Sequence, residues 1–182
     1  MPAIKTSKEE IIKRSAALIW EKGYKHTSFS DLSKACSIRN AHFYYYFNDK
    51  EDLMSEVLLY AAGYMKKKVF DIAYQDNLST AERLEIMGKK LRTLYCKNNS
   101  GCLFANITLE MSHSNAPFLE IVRSIFRDFI AALKHIYELE LPAELAEKKA
   151  ILTVQQIEGA LIMMRLYNDK SYIDNAWQTL FE

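Results

Sequence analysis

Glycine and proline are scarce in this chain, five and three among 182 residues. β-Sandwiches and doubly wound α/β folds turn often and spend glycine at those turns, so both classes lose support. The cysteines, Cys36, Cys96 and Cys102, are too few and odd in number for a secreted disulfide framework. No stretch approaches the roughly 18 uncharged apolar residues of a membrane span. The opening Met1-Pro2-Ala3-Ile4-Lys5 has no apolar signal-peptide core. His26, His42, His113 and His135 are scattered, with no His-Glu-x-x-His, no paired cysteine knuckles and no glycine-rich phosphate loop. Glu110 and His113, three residues apart, could face one pocket but read as a surface or structural pair. Apolar residues at 49% and aromatics at 12% exclude long disorder. These absences leave a cytoplasmic all-α protein that is not an enzyme and holds neither metal nor cofactor.

Charge is uneven along the chain. Residues 1–68 hold 12 basic and 8 acidic residues, whereas residues 69–182 hold 12 basic and 15 acidic. A basic head on an acidic remainder points toward a polyanion partner. The run Lys66-Lys67-Lys68 reads as a solvated helix face.

Helical spacing runs throughout. Ser7-Lys8-Glu9-Glu10 is a capping box, Ile12, Ala16, Ile19 and Trp20 form one apolar stripe, and Gly23 ends the helix. Thr27 or Ser28 caps a short second helix whose Phe29, Leu32 and Ala35-Cys36 face inward. Ser37-Ile38-Arg39 is a turn, and residues 40–46 make a third helix of two turns. Asp49, with Asp52 three residues on, caps a fourth helix from Lys50 to about Asp71. Further helices are expected at about 80–98, 103–114, 117–139, 143–167 and 170–181, with a clear turn at Asn98-Asn99-Ser100-Gly101. Two short helices joined by a tight turn and braced by a longer one are the layout of a helix-turn-helix. Asn40, His42, Tyr44, Tyr45 and Tyr46 crowd polar and amphipathic groups onto the third helix, more than a core would take.

The run Glu21-Lys22-Gly23-Tyr24, then Thr27-Ser28, Asp31-Leu32, Lys34-Ala35, Phe43-Tyr44-Tyr45-Tyr46-Phe47 and Lys50-Glu51-Asp52-Leu53 resembles the DNA-binding domain of TetR-family bacterial repressors over about residues 8–57. The resemblance implies a ligand-responsive, homodimeric transcriptional regulator that binds double-stranded operator DNA, most simply a repressor released by a small-molecule inducer. It places the helix-turn-helix domain in residues 1–50, with helix four as connector. Residues 51–182 become the C-terminal ligand-binding and dimerisation domain. Position by position, Thr27 would cap helix two and touch a phosphate, and Arg39 and Asn40 would reach base edges. His42 would read a base or a phosphate, and Tyr44, Tyr45, Tyr46 and Lys50 would grip phosphates; Tyr44 has the alternative of packing inward. Phe43 and Phe47 read as core. The chain departs from the family pattern at Ser37, where glycine is usual, at Arg39-Asn40-Ala41-His42, and at Tyr46. Ser37 is accordingly expected to take a positive φ.

The C-terminal region offers apolar stripes from which Tyr95, Phe104, Thr108, Met111, Phe126, Met163 and Tyr167 are candidates for a ligand pocket. Gln155, Gly159, Met163, Leu166, Trp177, Leu180 and Phe181 are candidates for the dimer seam, partly by family likeness. Gly101-Cys102-Leu103-Phe104-Ala105-Asn106 resembles a segment of one TetR subgroup, some of whose members sense electrophiles or oxidants. A cysteine at a helix N-terminus gains thiolate character from the macrodipole, so Cys102 is a candidate redox residue, with a small buried residue as the alternative. The rival readings are therefore a thiol-based sensor and a helical interaction module without specific DNA binding.

Overall fold

The computed structural model describes residues 6–96, 100–114 and 116–181, which form helices and no strand. The all-α expectation holds. The chain packs as two compact units, the first made of residues 1–62 and 103–122, the second of residues 63–102 and 123–182.

In the first unit, α1 spans Lys8–Lys22, α2 Phe29–Cys36, α3 Asn40–Tyr46 and α6 Leu103–Met111, joined by the N-terminal part of α4 (Lys50–Lys68). Ser7 caps α1 by accepting from the Glu10 N–H at 3.1 Å. Gly23, at φ +89°, closes the helix by donating its N–H to the Ile19 carbonyl at 2.8 Å. The cap of α2 is Ser28, whose hydroxyl accepts from the Asp31 N–H while the Asp31 carboxylate accepts from the Ser28 N–H. Thr27 is therefore not the cap. Its hydroxyl donates to the Gly23 carbonyl at 2.6 Å, one helix turn's length back along the chain. Ser37 ends α2 in the left-handed region, φ +56° and ψ +38°, as expected where glycine is missing. Asp49 caps α4 by accepting from the Asp52 N–H at 2.8 Å. Ile11, Ile19, Leu32, Cys36, Phe43, Phe47, Leu53, Val57 and Leu58 make the buried core, and α6 adds Ile107 and Phe104.

The second unit holds the end of α4, α5 (Thr80–Cys96), most of α7 (Leu119–Tyr137), α8 (Ala143–Tyr167) and α9 (Ser171–Phe181). Helix four stops at Lys68, short of the expected Asp71, and a turn of 3₁₀ helix follows over Phe70–Tyr74. Arg83 explains the break. Its buried guanidinium donates to the Ala73 carbonyl at 2.7 Å and the Leu78 carbonyl at 2.9 Å, holding ends that a longer helix would have carried elsewhere. Phe70 stacks on Phe129 with ring centroids 5.1 Å apart. Tyr137 and Thr153 share a buried hydrogen bond of 3.0 Å. Helix α9 is held to α5 by the two-pronged pair of Arg92 with Asp174 and by Trp177, whose indole lies over Gly88. A Cβ at Gly88 would stand 1.9 Å from the indole nitrogen, so this crossing requires glycine. Trp177 thus packs against α5 within the unit. The expected turn at 98–101 and the Phe181 side chain lie wholly or partly outside the described residues.

Candidate nucleic-acid interface

Helix α3 carries one buried anchor, Phe43, and turns its other side chains outward. Phe29 of α2 packs against both Phe43 and Tyr44, with centroids 5.4 Å apart in each case, which fixes the angle between the two helices. Tyr45 is 79% exposed and Tyr44 62% exposed, so the inward alternative for Tyr44 is not what the structure shows, although its ring leans on Phe29. Tyr46 is half-buried and meets Tyr45 edge to face at 4.8 Å. Arg39, Asn40 and His42 are exposed at the start of the helix. The Ser33 hydroxyl bonds the Asn40 side-chain carbonyl, which steadies Asn40 while its amide hydrogens remain available as donors.

Ser30, Ser33, Lys34, Ser37, Ile38, Arg39 and His42 line a shallow depression of about 500 Å³ between α2 and α3. It has two cationic side chains, three hydroxyls and an imidazole. Such a surface donates hydrogen bonds to phosphate oxygens and base edges. Residue by residue reading did not bring in Ser30 and Ser33. One turn apart on α2, they face α3 only once the two helices are crossed.

Two expected phosphate contacts point elsewhere. Thr27 is 1% exposed and its hydroxyl is turned inward onto the Gly23 carbonyl. The Lys50 ammonium donates to the Tyr24 carbonyl at 2.6 Å and lies 4.2 Å from the centroid of the Tyr24 ring. Burial lowers the Lys50 pKa, opposed by the Glu110 charge, and pushes the Tyr24 phenol up to about 12. Lys50 is a brace of the α1–α2 turn. That turn is gripped from a second side by Glu110 of α6, whose carboxylate accepts from the Tyr24 N–H at 3.3 Å and the Lys25 N–H at 2.8 Å. Tyr24 also meets Phe118 edge to face at 5.4 Å. Sequence reasoning missed Glu110, pairing it with His113 by spacing alone. Its partners lie 85 and 86 residues away, and no local pattern announces them.

The ligand candidates fall in both units. Tyr95 is buried in the second unit and Phe126 is half-buried there, whereas Phe104, Thr108 and Met111 belong to the first unit. The Thr108 hydroxyl donates back to the Phe104 carbonyl at 2.9 Å. Met163 and Tyr167 lie on the outer side of α8. They are 36% and 58% exposed, and the buried methionine of that segment is Met164. Cys102 is buried in the second unit, and no disulfide joins Cys36, Cys96 and Cys102. Tyr64, Lys68, Val69, Lys89, Lys90, Thr93 and Leu94 line an open groove of about 450 Å³ that includes none of the candidates.

A capped α2, a tight turn at Ser37 and an outward-facing α3 define a helix-turn-helix DNA-binding regulator. Residues 11–57 match the bacterial regulatory proteins of the tetR family, and residues 81–179 match the C-terminal domain of LmrA/YxaF-like transcriptional regulators. The chain belongs to the TetR family, whose members are non-enzymatic DNA-binding transcriptional regulators. It is 24% identical to an HTH-type transcriptional regulator from the lacX 3′ region of Lactococcus lactis, over 97% of this chain and 92% of that one. The crystal structure of a TetR regulator from Legionella pneumophila superposes with a TM-score of 0.89 at 26% identity, covering 98% of this chain and 97% of that one. FadR from Bacillus subtilis, crystallised in complex with stearoyl-CoA, shares the fold with a TM-score of 0.73 at 18% identity, covering 97% and 98%. Among the described residues no helix is long and apolar enough to cross a membrane.

Proposed function

We propose that this regulator is a cytoplasmic homodimeric repressor that reads its operator through α3 and is released by a small molecule bound in its C-terminal helices. The carrying observation is the outward face of α3, where Arg39, Asn40, His42 and Tyr45 stand exposed above a depression rich in hydrogen-bond donors. Arg39 and Asn40 are the base readers, with His42 beside them. Tyr44, Tyr45 and Tyr46 are the phosphate contacts, joined by Lys34 from α2. Dimerisation is supported by one face of α8. Leu152, Ile162, Met163, Leu166 and Tyr167 are exposed there, and Gly159 between them has no atom of its own chain within 4 Å of where a Cβ would lie. An apolar stripe of that length on a lone chain is a surface waiting for a partner. Two-fold pairing would set the two reading helices about 34 Å apart, one turn of B-DNA. The ligand-bound FadR structure supports a small-molecule site in this fold. Release by a ligand requires that it bind the two states of the dimer unequally.

The rival thiol-sensor reading has less support. Cys102 is buried beside the carboxyl of Glu158 and the phenol of Tyr95, acidic neighbours that do not favour a thiolate.

Fluorescence anisotropy against DNA flanking the protein's own gene, beside scrambled DNA and at two salt concentrations, tests the proposal. Tyr45→Phe is expected to weaken cognate and scrambled DNA by a similar factor. Asn40→Ala is expected to weaken the cognate site by roughly tenfold or more and the scramble little. Equal affinity of the native protein for every sequence would refute base reading by α3.

A further inference from the structure

The second unit contains a carboxyl group with no adequate partner. Both side-chain oxygens of Glu158, in the middle of α8, are shut off from solvent, and no hydrogen bond of ordinary geometry reaches either from the described residues. Buried carboxylates elsewhere in proteins are paired, because stripping the water from an unpaired charge costs several kcal/mol. The titratable groups that bear on Glu158 are the Cys102 thiol, a weak donor, and the Tyr95 phenol. Neither brings a positive charge. Burial pushes the Tyr95 phenol well above its ordinary range and keeps it protonated, so it cannot serve as a counter-ion. Val154 and Leu161, one turn to either side of Glu158 on α8, are buried and apolar.

A glutamine or leucine here would satisfy the packing without the charge. We infer that Glu158 is the recognition group for a ligand carrying a protonated amine on an apolar body, the ammonium supplying the partner that the fold withholds. This inference rests on the ligand-binding reading of the C-terminal helices and deepens it. In the free protein a proton takes the ligand's place, since burial raises the Glu158 pKa to about 7. Binding of the ammonium expels that proton from the fraction of molecules that carry it. Affinity for the amine therefore rises from pH 6 toward a plateau above pH 8, and binding near pH 6 releases close to one proton into the buffer.

Isothermal titration of protein freed of small molecules, with 4-phenylbutylamine, 4-phenylbutanol, 4-phenylbutyrate and ammonium chloride at constant ionic strength, tests this. The amine is expected to bind about tenfold or more tightly than the alcohol and the acid. Glu158→Gln should lose that preference while keeping its affinity for the alcohol. Proton release is read on the native protein from buffers of differing ionisation heat, so the test survives if Glu158→Gln fails to fold. The alcohol or the acid binding as tightly as the amine overturns the cationic class and leaves a ligand site standing. Ammonium alone binding as well as the amine overturns the amine-bearing ligand in favour of a simple ion site. Silence from all four probes overturns the inference and counts against the ligand-binding reading as well.

Discussion

The grip of Glu110 on the α1–α2 turn can be measured by a double-mutant cycle with Gly23. Gly23 sits at φ +89° and ψ +155°, a region that residues with a Cβ rarely enter, and its Cβ would stand 2.7 Å from the Glu110 Oε1. Alanine at this position therefore does two things. It strains the backbone by about 2 kcal/mol after allowing for the reduced freedom of the unfolded chain. It also drives the carboxylate away from the Tyr24 and Lys25 N–H groups. Those two charge-assisted bonds, one long and one exposed, contribute together about 2 kcal/mol.

Gly23→Ala alone should then destabilise by about 4 kcal/mol and Glu110→Ala alone by about 2 kcal/mol. In the double variant the alanine methyl meets no carboxylate, and the clamp is already gone. Its loss should stay near 4 kcal/mol, so that the two changes couple by about 2 kcal/mol. Urea unfolding followed by circular dichroism supplies all four corners, with Glu110→Gln expected to keep roughly half the clamp. Additive losses in the double variant would refute the geometry, because they would mean that the methyl and the carboxylate never compete.

Arg83→Met should lower stability by about 3 kcal/mol by stranding the Ala73 and Leu78 carbonyls, with Arg83→Lys recovering less than half; a urea midpoint unchanged from the native protein would refute it. Gly88→Ala should lift the Trp177 indole off α5 at a cost of about 1–3 kcal/mol and shift tryptophan emission to the red; unaltered emission would show that α9 does not need the close crossing. Glu158 predicts an unusual pH profile. Its folded pKa of about 7 lies above the ordinary carboxyl value of 4.5, so its contribution is intact below pH 4.5 and is lost as pH rises through 7. Stability of the native protein relative to Glu158→Leu should fall by about 3 kcal/mol between pH 4.5 and 8, and a flat difference across that window would refute the burial argument.

Much of the fold was legible because its punctuation is local. Ser7, Gly23 and Asp49 mark helix ends with groups that bond within four residues, and Ser37 takes the left-handed conformation that the two-helix turn demands. The 3₁₀ turn at Phe70–Tyr74 was not legible, since the residue that stabilises it, Arg83, lies beyond the turn and acts on carbonyls. Methionines 163 and 164 show a second limit. Neighbouring positions on a helix point about 100° apart, and on α8 the outward stripe is as apolar as the inward one. Pattern alone could not say which methionine lies inside.

The interface divides along the same line. Its exposed members, Arg39, Asn40, His42 and Tyr45, follow from having too many polar and amphipathic groups on a two-turn helix. Its supports do not follow. Lys50 matches a motif position that reads as a phosphate contact, yet its ammonium is held on the Tyr24 carbonyl from one side while Glu110 holds the neighbouring N–H groups from the other. A cation takes the carbonyl and an anion takes the amides, so opposite charges secure a single turn. Tyr24 supplies the atoms common to both, and Gly23 leaves the space for the carboxylate. Each residue in this arrangement has an ordinary reading alone: a basic surface residue, an acidic one, a helix-ending glycine. Their role comes from α6 returning, more than 50 residues after α3, to pack in the same unit as the reading head. A movement of α6 would therefore bear directly on the turn that sets where α2 begins, and α2 is the helix on which Phe29 seats α3.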